Sequence, residues 1–234
     1  AGCSLADSIT AEEVRAWKTA YPQAAVVAYI NTSAEVKALS DYCCTSANAV
    51  QVVQTIDPSR DILFLPDKNL GRHVAHVTRR RNIHIWEGGC HVHAQLTAPT
   101  IAQAATRYPD AEVLVHPESA GASEADSSWQ LMSTNGMIEH ARQSSAHTFI
   151  VATEIGLLTR LRQAHPTKRF IAADAAASCR FMNRITVEKI RDSLKYFRYE
   201  VKVPQDLAQK AWHPIERMLA INGTTSASPP SFPQ

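Results

Sequence analysis

The chain has 234 residues, 45% hydrophobic and 20% charged, a globular composition with length for one large domain or two ordinary ones. A formal net charge of +2 is too balanced to point to nucleic acid. No apolar run approaches the roughly 18 residues that span a bilayer, so neither a nucleic acid nor a membrane is expected as a partner. Five cysteines spread over this length do not read as a disulfide framework, and reactive or ligand thiols in a reducing, cytoplasmic setting are expected. The opening AGCSLADS has neither the regions of a signal peptide nor an initiator Met, so a processed product or a fragment is expected.

In chain order, AAVVAYI (24–30) is a short apolar run bounded by turn signals, the mark of a buried parallel strand. CTSANAVQVVQT (44–55) has a polar opening and then a helical pattern, with Cys43 and Cys44 as packing residues at its start. DILFLPD is the next strand, KNLGRHVAHVT a helix, and NIHIWEGG a third strand. The run Thr78-Arg79-Arg80-Arg81 between the last two reads as a solvated turn. The order then recurs: strand AEVLVHP, helix MSTNGMIEHARQ, strand TFIVATE, helix IGLLTRLRQAH and strand KRFIAAD. Helices are predicted over 185–199 and 204–221, packing back on the body, and the Ser/Thr/Pro-rich end over 223–234 is predicted to be disordered.

The recurrence has a fixed offset of 87 residues. Tyr21-Pro22 answers Tyr108-Pro109, Ser46 answers Ser133, Asn48 answers Asn135, Asp67 answers Glu154 and Leu70 answers Leu157. The strand tips Tyr29-Ile30-Asn31 and His116-Pro117-Glu118 also coincide. This is an internal repeat of domain size. The expected fold class is α/β, with repeated three-layer α/β/α units on parallel sheets. The expected divisions are a first unit at 1–88, a second at 89–178, a C-terminal segment at 179–222 and the tail.

In such sheets ligands bind beyond the carboxyl ends of the strands, where Tyr29, Asn31, His116 and Glu118 fall. Ser46 and Ser133-Thr134 come where helices begin. There they either cap the helix or help its N-terminus bind a carboxylate or phosphate. Cys3, Cys90 and Cys179 are spaced by 87 and 89 and each precedes a helical segment. Repeats about a common centre would bring the three thiols together, with one position of a zinc or iron–sulfur site left open for substrate. The plain alternative for each is a small buried hydrophobe. His93 can face the same cavity, whereas His91 and His84 read as structural or exposed.

AGCSLAD, YINTSAEVKALSDYCCTSANA, LPDKNLGRHV, WEGGCHVH, VHPES, STNGM, VATEIGLL and CRFMNRITVEKI follow one another across residues 1 to about 221, and in them the chain resembles the quinolinate synthase family. The resemblance implies three similar α/β/α units about a pseudo-threefold axis, of which two are present here. It implies a [4Fe–4S] cluster on Cys3, Cys90 and Cys179, with a free iron acting as a Lewis acid. The implied reaction condenses iminoaspartate with dihydroxyacetone phosphate to quinolinate in NAD biosynthesis. An enzyme that oxidises L-aspartate would supply the first substrate. Glu118, His116 and Tyr29 match catalytic positions. Tyr29, Ile30, Asn31, Ser46, His116, Pro117, Glu118, Ser133 and Thr134 match substrate-binding ones, and His93 a position beside the cluster. The family's first unit has no counterpart here, so a fragment inactive alone is expected. The competing expectations are a non-catalytic zinc- or iron-binding module and a plain repeat protein that binds a small acid.

Overall fold

A computed structural model describes residues 2–221 and 223. The first half runs α1 (Ala11–Ala20), β1 (Ala25–Tyr29), α2 (Ala34–Lys37), β2 (Tyr42–Cys44), α3 (Ala49–Gln54), β3 (Ile62–Leu65), α4 (Lys68–Thr78) and β4 (Ile83–Ile85). The second runs α5 (His91–Gln95), α6 (Ala98–Arg107), β5 (Glu112–Val115), β6 (Gln130–Leu131), α7 (Thr134–Gln143), β7 (Thr148–Ala152), α8 (Leu157–Ala164) and β8 (Arg169–Ala172). The chain closes with α9 (Val187–Tyr196) and α10 (Gln205–Ile221). The tail expected to be disordered lies, apart from Gly223, outside the described residues.

Each half builds one four-stranded, all-parallel sheet, in the orders β2-β1-β3-β4 and β6-β5-β7-β8. The repeat is visible in the ladder itself. Ala25 pairs with Ile62 and Glu112 with Phe149; Ile62 pairs with Ile83 and Phe149 with Phe170. All these residues move by the same offset. The central strand β3 is apolar and buried at every position, and β5 and β7 are so after their first residue, because both faces are covered. Val27 and Phe64 pack to one side with Val52, Val53, Leu70 and Val74. Val26, Ala28, Leu63 and Leu65 pack to the other with Val14 and Val36. Phe64 and Phe149, one in each half, are among the largest fully buried side chains; each burial stabilises by roughly 1.5–3 kcal/mol.

Two strands differ from the sequence reading. Cys43 and Cys44 belong to the edge strand β2, not to the start of a helix. β6 is its two-residue counterpart. Strands this short carry too few residues for a period and form because β1 and β5 offer an open edge. The basic turn is also only partly solvent-directed. Arg79 ends α4 in the left-handed region, while Arg80 donates to the carbonyls of Val53, Ile56, Asp57 and Arg60. As predicted, α10 returns to the body. It packs on β2 and α2, with Arg217 donating to the Asp41 carbonyl and lying over the Tyr42 ring. α9 has no buried residue.

One hydrogen bond ties the halves together at the loop that carries Glu118, and a close approach within the second half holds that loop. Asn69, in the first turn of α4, donates from Nδ2 to the Glu118 carbonyl at 2.8 Å. Gly121, just beyond Glu118, comes so close to the start of α6 that a Cβ there would meet the Ala98 nitrogen at 2.6 Å. Only glycine fits such an approach.

Candidate active site

The carboxyl ends of both sheets open on one cavity of about 750 Å³. The three repeat-related cysteines, Cys3, Cys90 and Cys179, all line it. So do Tyr29, Ile30 and Asn31 from the first strand tip and His116 and Glu118 from the second. Ser46 and Thr134 complete the polar lining contributed by the repeat. Ser133 is engaged otherwise: its hydroxyl caps α7 by accepting from the Gly136 N–H at 3.2 Å. Pro117 is buried and is not part of the wall.

Ser46 does not cap its helix, for α3 starts three residues later and its N-cap is Asn48. Its hydroxyl lies 3.2 Å from His116 Nε2 instead. It also reaches the Tyr29 phenol, which bonds Glu118 in turn. His93 Nε2 is 2.9 Å from Thr153 Oγ1, and Nδ1 is 3.1 Å from Glu118 Oε2, although poorly aligned for a hydrogen bond. The His93 and His116 rings stack at 4.6 Å, 9° from parallel. His93, His116 and Glu118 are each at most 8% exposed, so the cluster works in a dry, low-dielectric setting.

That setting separates the protonation states. Burial opposes charge on His93, but its contacts with Cys90 and Glu118 outweigh burial and hold its pKa well above the ordinary value. His116 is driven down to about 4, by burial first and by the charge of His93 second. Burial would raise Glu118, yet the close contact with His93 and the nearby His116 hold it below the usual carboxylate range. Burial, then the charge of Glu118, raises the Tyr29 phenol. The result is an imidazolium–carboxylate pair beside a neutral imidazole and a neutral phenol.

Two acids at repeat-equivalent positions support the cysteines. Glu154 Oε1 accepts from the Cys179 N–H at 3.1 Å and Oε2 from the Gly156 N–H at 2.7 Å. Asp67 caps α4 through Leu70 at 2.8 Å and faces the backbone of Cys90. Burial, then the charge of Glu118, raises Asp67 to about 7. The repeat match of Asp67 with Glu154 pointed to these acids, but sequence alone did not connect them with the thiols. Asn69, Thr153 and Ser4 carried no signal. His91, expected to be structural or exposed, lines the cavity.

The model of the Quinolinate synthetase A protein family matches residues 1–220. The chain belongs to this family. It is 46% identical over 231 residues to quinolinate synthase of Mycobacterium tuberculosis H37Rv, an alignment covering 94% of this chain and 66% of that protein. It is 47% identical over 226 residues to quinolinate synthase of Pyrobaculum aerophilum, covering 93% and 73%. Quinolinate synthase of Mycobacterium sp. strain KMS is 47% identical, covering 94% and 68%. The chain thus spans about two thirds of the length of the mycobacterial relatives.

The donors fit the resident group that this family membership raises. Three soft thiols line one cavity, with a fourth side open to small molecules. Zinc–sulfur bonds of about 2.3 Å place thiolates about 3.8 Å apart. Among the described residues the one set of three or more ligand atoms within 4.8 Å of one another is His93, His116 and Glu118. At least one pair of the cysteine sulfurs is therefore more than 4.8 Å apart, wider than a single zinc ion sets them.

Proposed function

We propose that this chain carries the catalytic cavity of a quinolinate synthase, which condenses iminoaspartate with dihydroxyacetone phosphate and releases phosphate and water. The observation that carries this reading is the meeting of three repeat-related thiols and the Tyr29–Glu118–His93–His116 network in one cavity. A [4Fe–4S] cluster on Cys3, Cys90 and Cys179 would supply a Lewis-acidic iron to polarise a substrate oxygen.

The protein groups account for the remaining needs. Asn31, Ser46 and Thr134 offer neutral hydrogen bonds to the carboxylates of iminoaspartate. Imine formation, enolisation and dehydration each move a proton near neutral pH. Glu118, ionised and buried, accepts a proton from carbon. His93 keeps Glu118 charged, while His116 and the Tyr29 phenol can each give or take a proton at oxygen. An L-aspartate-oxidising enzyme would supply the iminoaspartate. Because the matched relatives are longer, this chain alone is proposed to turn over little.

Glu118→Gln tests the catalytic part, in the chain extended by the segment through which its relatives exceed it. Iron and sulfide content stay unchanged, and kcat falls by about 10²–10⁴. Turnover within tenfold of the parent refutes the role. A second reading, a metal-binding module without catalysis, is favoured by the close His93, His116 and Glu118 set. Metal content after anaerobic reconstitution separates the two. Iron and sulfide near about four each per chain, lost in Cys90→Ser, support the cluster, whereas zinc without sulfide supports the module.

A further inference from the structure

Ser4 and His91 directly follow Cys3 and Cys90, and are therefore equivalent positions of the repeat. They bond to each other. The His91 backbone N–H donates to Ser4 Oγ at 3.3 Å, and the same Oγ lies 2.7 Å from His91 Nδ1. A hydroxyl has one proton to give. With its oxygen already accepting from the backbone N–H, the Ser4 hydroxyl can direct its one proton to Nδ1. A neutral imidazole with Nδ1 as acceptor carries its own proton on Nε2.

That nitrogen is buried and has no hydrogen-bond partner among the described residues. Buried donors without acceptors are rare and expensive to keep. The ring meets Phe181 at 5.5 Å, 76° from parallel, and both side chains line the cavity of the three cysteines. His93, on the same short helix, differs because Thr153 and Glu118 already engage it. His93 Nδ1 lacks an aligned hydrogen bond but faces the Glu118 carboxylate at 3.1 Å, whereas no described polar atom bonds His91 Nε2.

We propose that His91 donates its Nε2–H to a sulfur of the group held by Cys3, Cys90 and Cys179, and so sets that group's reduction potential, with Ser4 fixing the tautomer. The proposal rests on the three-cysteine reading above. A hydrogen bond to sulfur favours the more negatively charged, reduced state and raises the potential.

The test is a redox titration of the anaerobically reconstituted chain, followed by electron paramagnetic resonance. His91→Phe removes the donor and keeps a ring. At a fixed potential it raises the oxidised-to-reduced ratio about tenfold, equivalent to 59 mV for one electron. His91→Gln restores an N–H and most of the potential, and Ser4→Ala shifts it partly in the same direction. Iron and sulfide contents stay equal throughout. A loaded His91→Phe chain within threefold of the parent ratio overturns the proposal. So does loss of iron from a folded His91→Phe chain, which would make His91 a ligand. Nitrogen-15 spectra of the metal-free chain give a separate reading, since a proton on Nδ1 overturns the proposal alone. A parent chain that takes up no iron and sulfide overturns the three-cysteine reading and this proposal with it.

Discussion

Replacing Asn69 by alanine probes the joint between the two halves at the loop that carries Glu118. Asn69 is 7% exposed, and its Nδ2 donates to the Glu118 carbonyl at 2.8 Å across the interface. Alanine leaves that buried carbonyl without its donor, a loss of about 1–3 kcal/mol. Alanine also favours the helix over asparagine by up to about 0.7 kcal/mol. The net expectation is a destabilisation of about 1.5 kcal/mol, or roughly tenfold in the folded-to-unfolded ratio. Urea unfolding followed by tryptophan fluorescence measures it, with the slope compared to confirm that the transition is the same. Asn69→Asp is expected to be worse. It sets a carboxylate against a carbonyl, close to Asp67, whose ionisation burial and the charge of Glu118 already oppose. Arg142→Ala, which breaks the exposed pair with Glu139, should leave the midpoint unmoved. The reasoning is refuted if Asn69→Ala lies within about 0.5 kcal/mol of the parent, or if Asn69→Asp is no worse.

In the metal-free chain Cys3, Cys90 and Cys179 should react quickly with a disulfide reagent at pH 8. Cys43, pushed up to about 12 by burial, and the fully buried Cys44 should stay silent until denaturant is added; early reaction of all five contradicts the packing. Gly121→Ala forces a Cβ against the backbone of Thr97 and Ala98 and should destabilise by about 1–3 kcal/mol, so an unchanged urea midpoint would show that this loop yields freely. Glu112 accepts from His140 Nε2 at 2.6 Å and Ser144 Oγ at 2.7 Å, and although burial works the other way these bonds hold its carboxyl below the ordinary value. Its contribution is present above the unfolded carboxylate pKa of about 4.3 and is lost as pH falls through the folded value. The stability gap between the parent and Glu112→Gln should narrow on acidification, and a gap that widens would reverse the sign of this linkage.

Much of this fold is legible in the sequence, for reasons that particular residues make plain. α4 begins and ends where the pattern places it because Asp67 caps it and Leu70 and Val74 share its buried face. β3 and β7 are legible because parallel strands covered on both sides are apolar at every position. β2 and β6 are not, since their pairing depends on a neighbour's edge rather than on their own residues. The meeting of Cys3, Cys90 and Cys179 in one cavity follows from the repeat. The work of Asn69, Thr153 and Ser4 does not. Each acts on a partner at least 49 positions away, through one or two hydrogen bonds that leave no local pattern. Ser46 and Ser133 show the limit of reasoning by equivalence. The same position in two copies turns a hydroxyl toward a histidine in one and caps a helix in the other.

That divergence is where a symmetric framework becomes a chemical site. The β1–β3 and β5–β7 registers are the same, so the two central strand tips arrive at the cavity in equivalent places. What arrives differs: Tyr29 and Asn31 from one copy, His116 and Glu118 from the other. One tip offers groups that stay neutral near pH 7, and the other offers groups whose charge its surroundings decide. The tension that results is concentrated. Of the five buried side-chain atoms without a partner among the described residues, four belong to Asp67, His91, His93 and Glu118. A core selected only for stability would satisfy such atoms or replace them with apolar groups. Here they gather around the residues to which the proposed function gives a ligand, and the surrounding apolar sheets supply the stability which tolerates them.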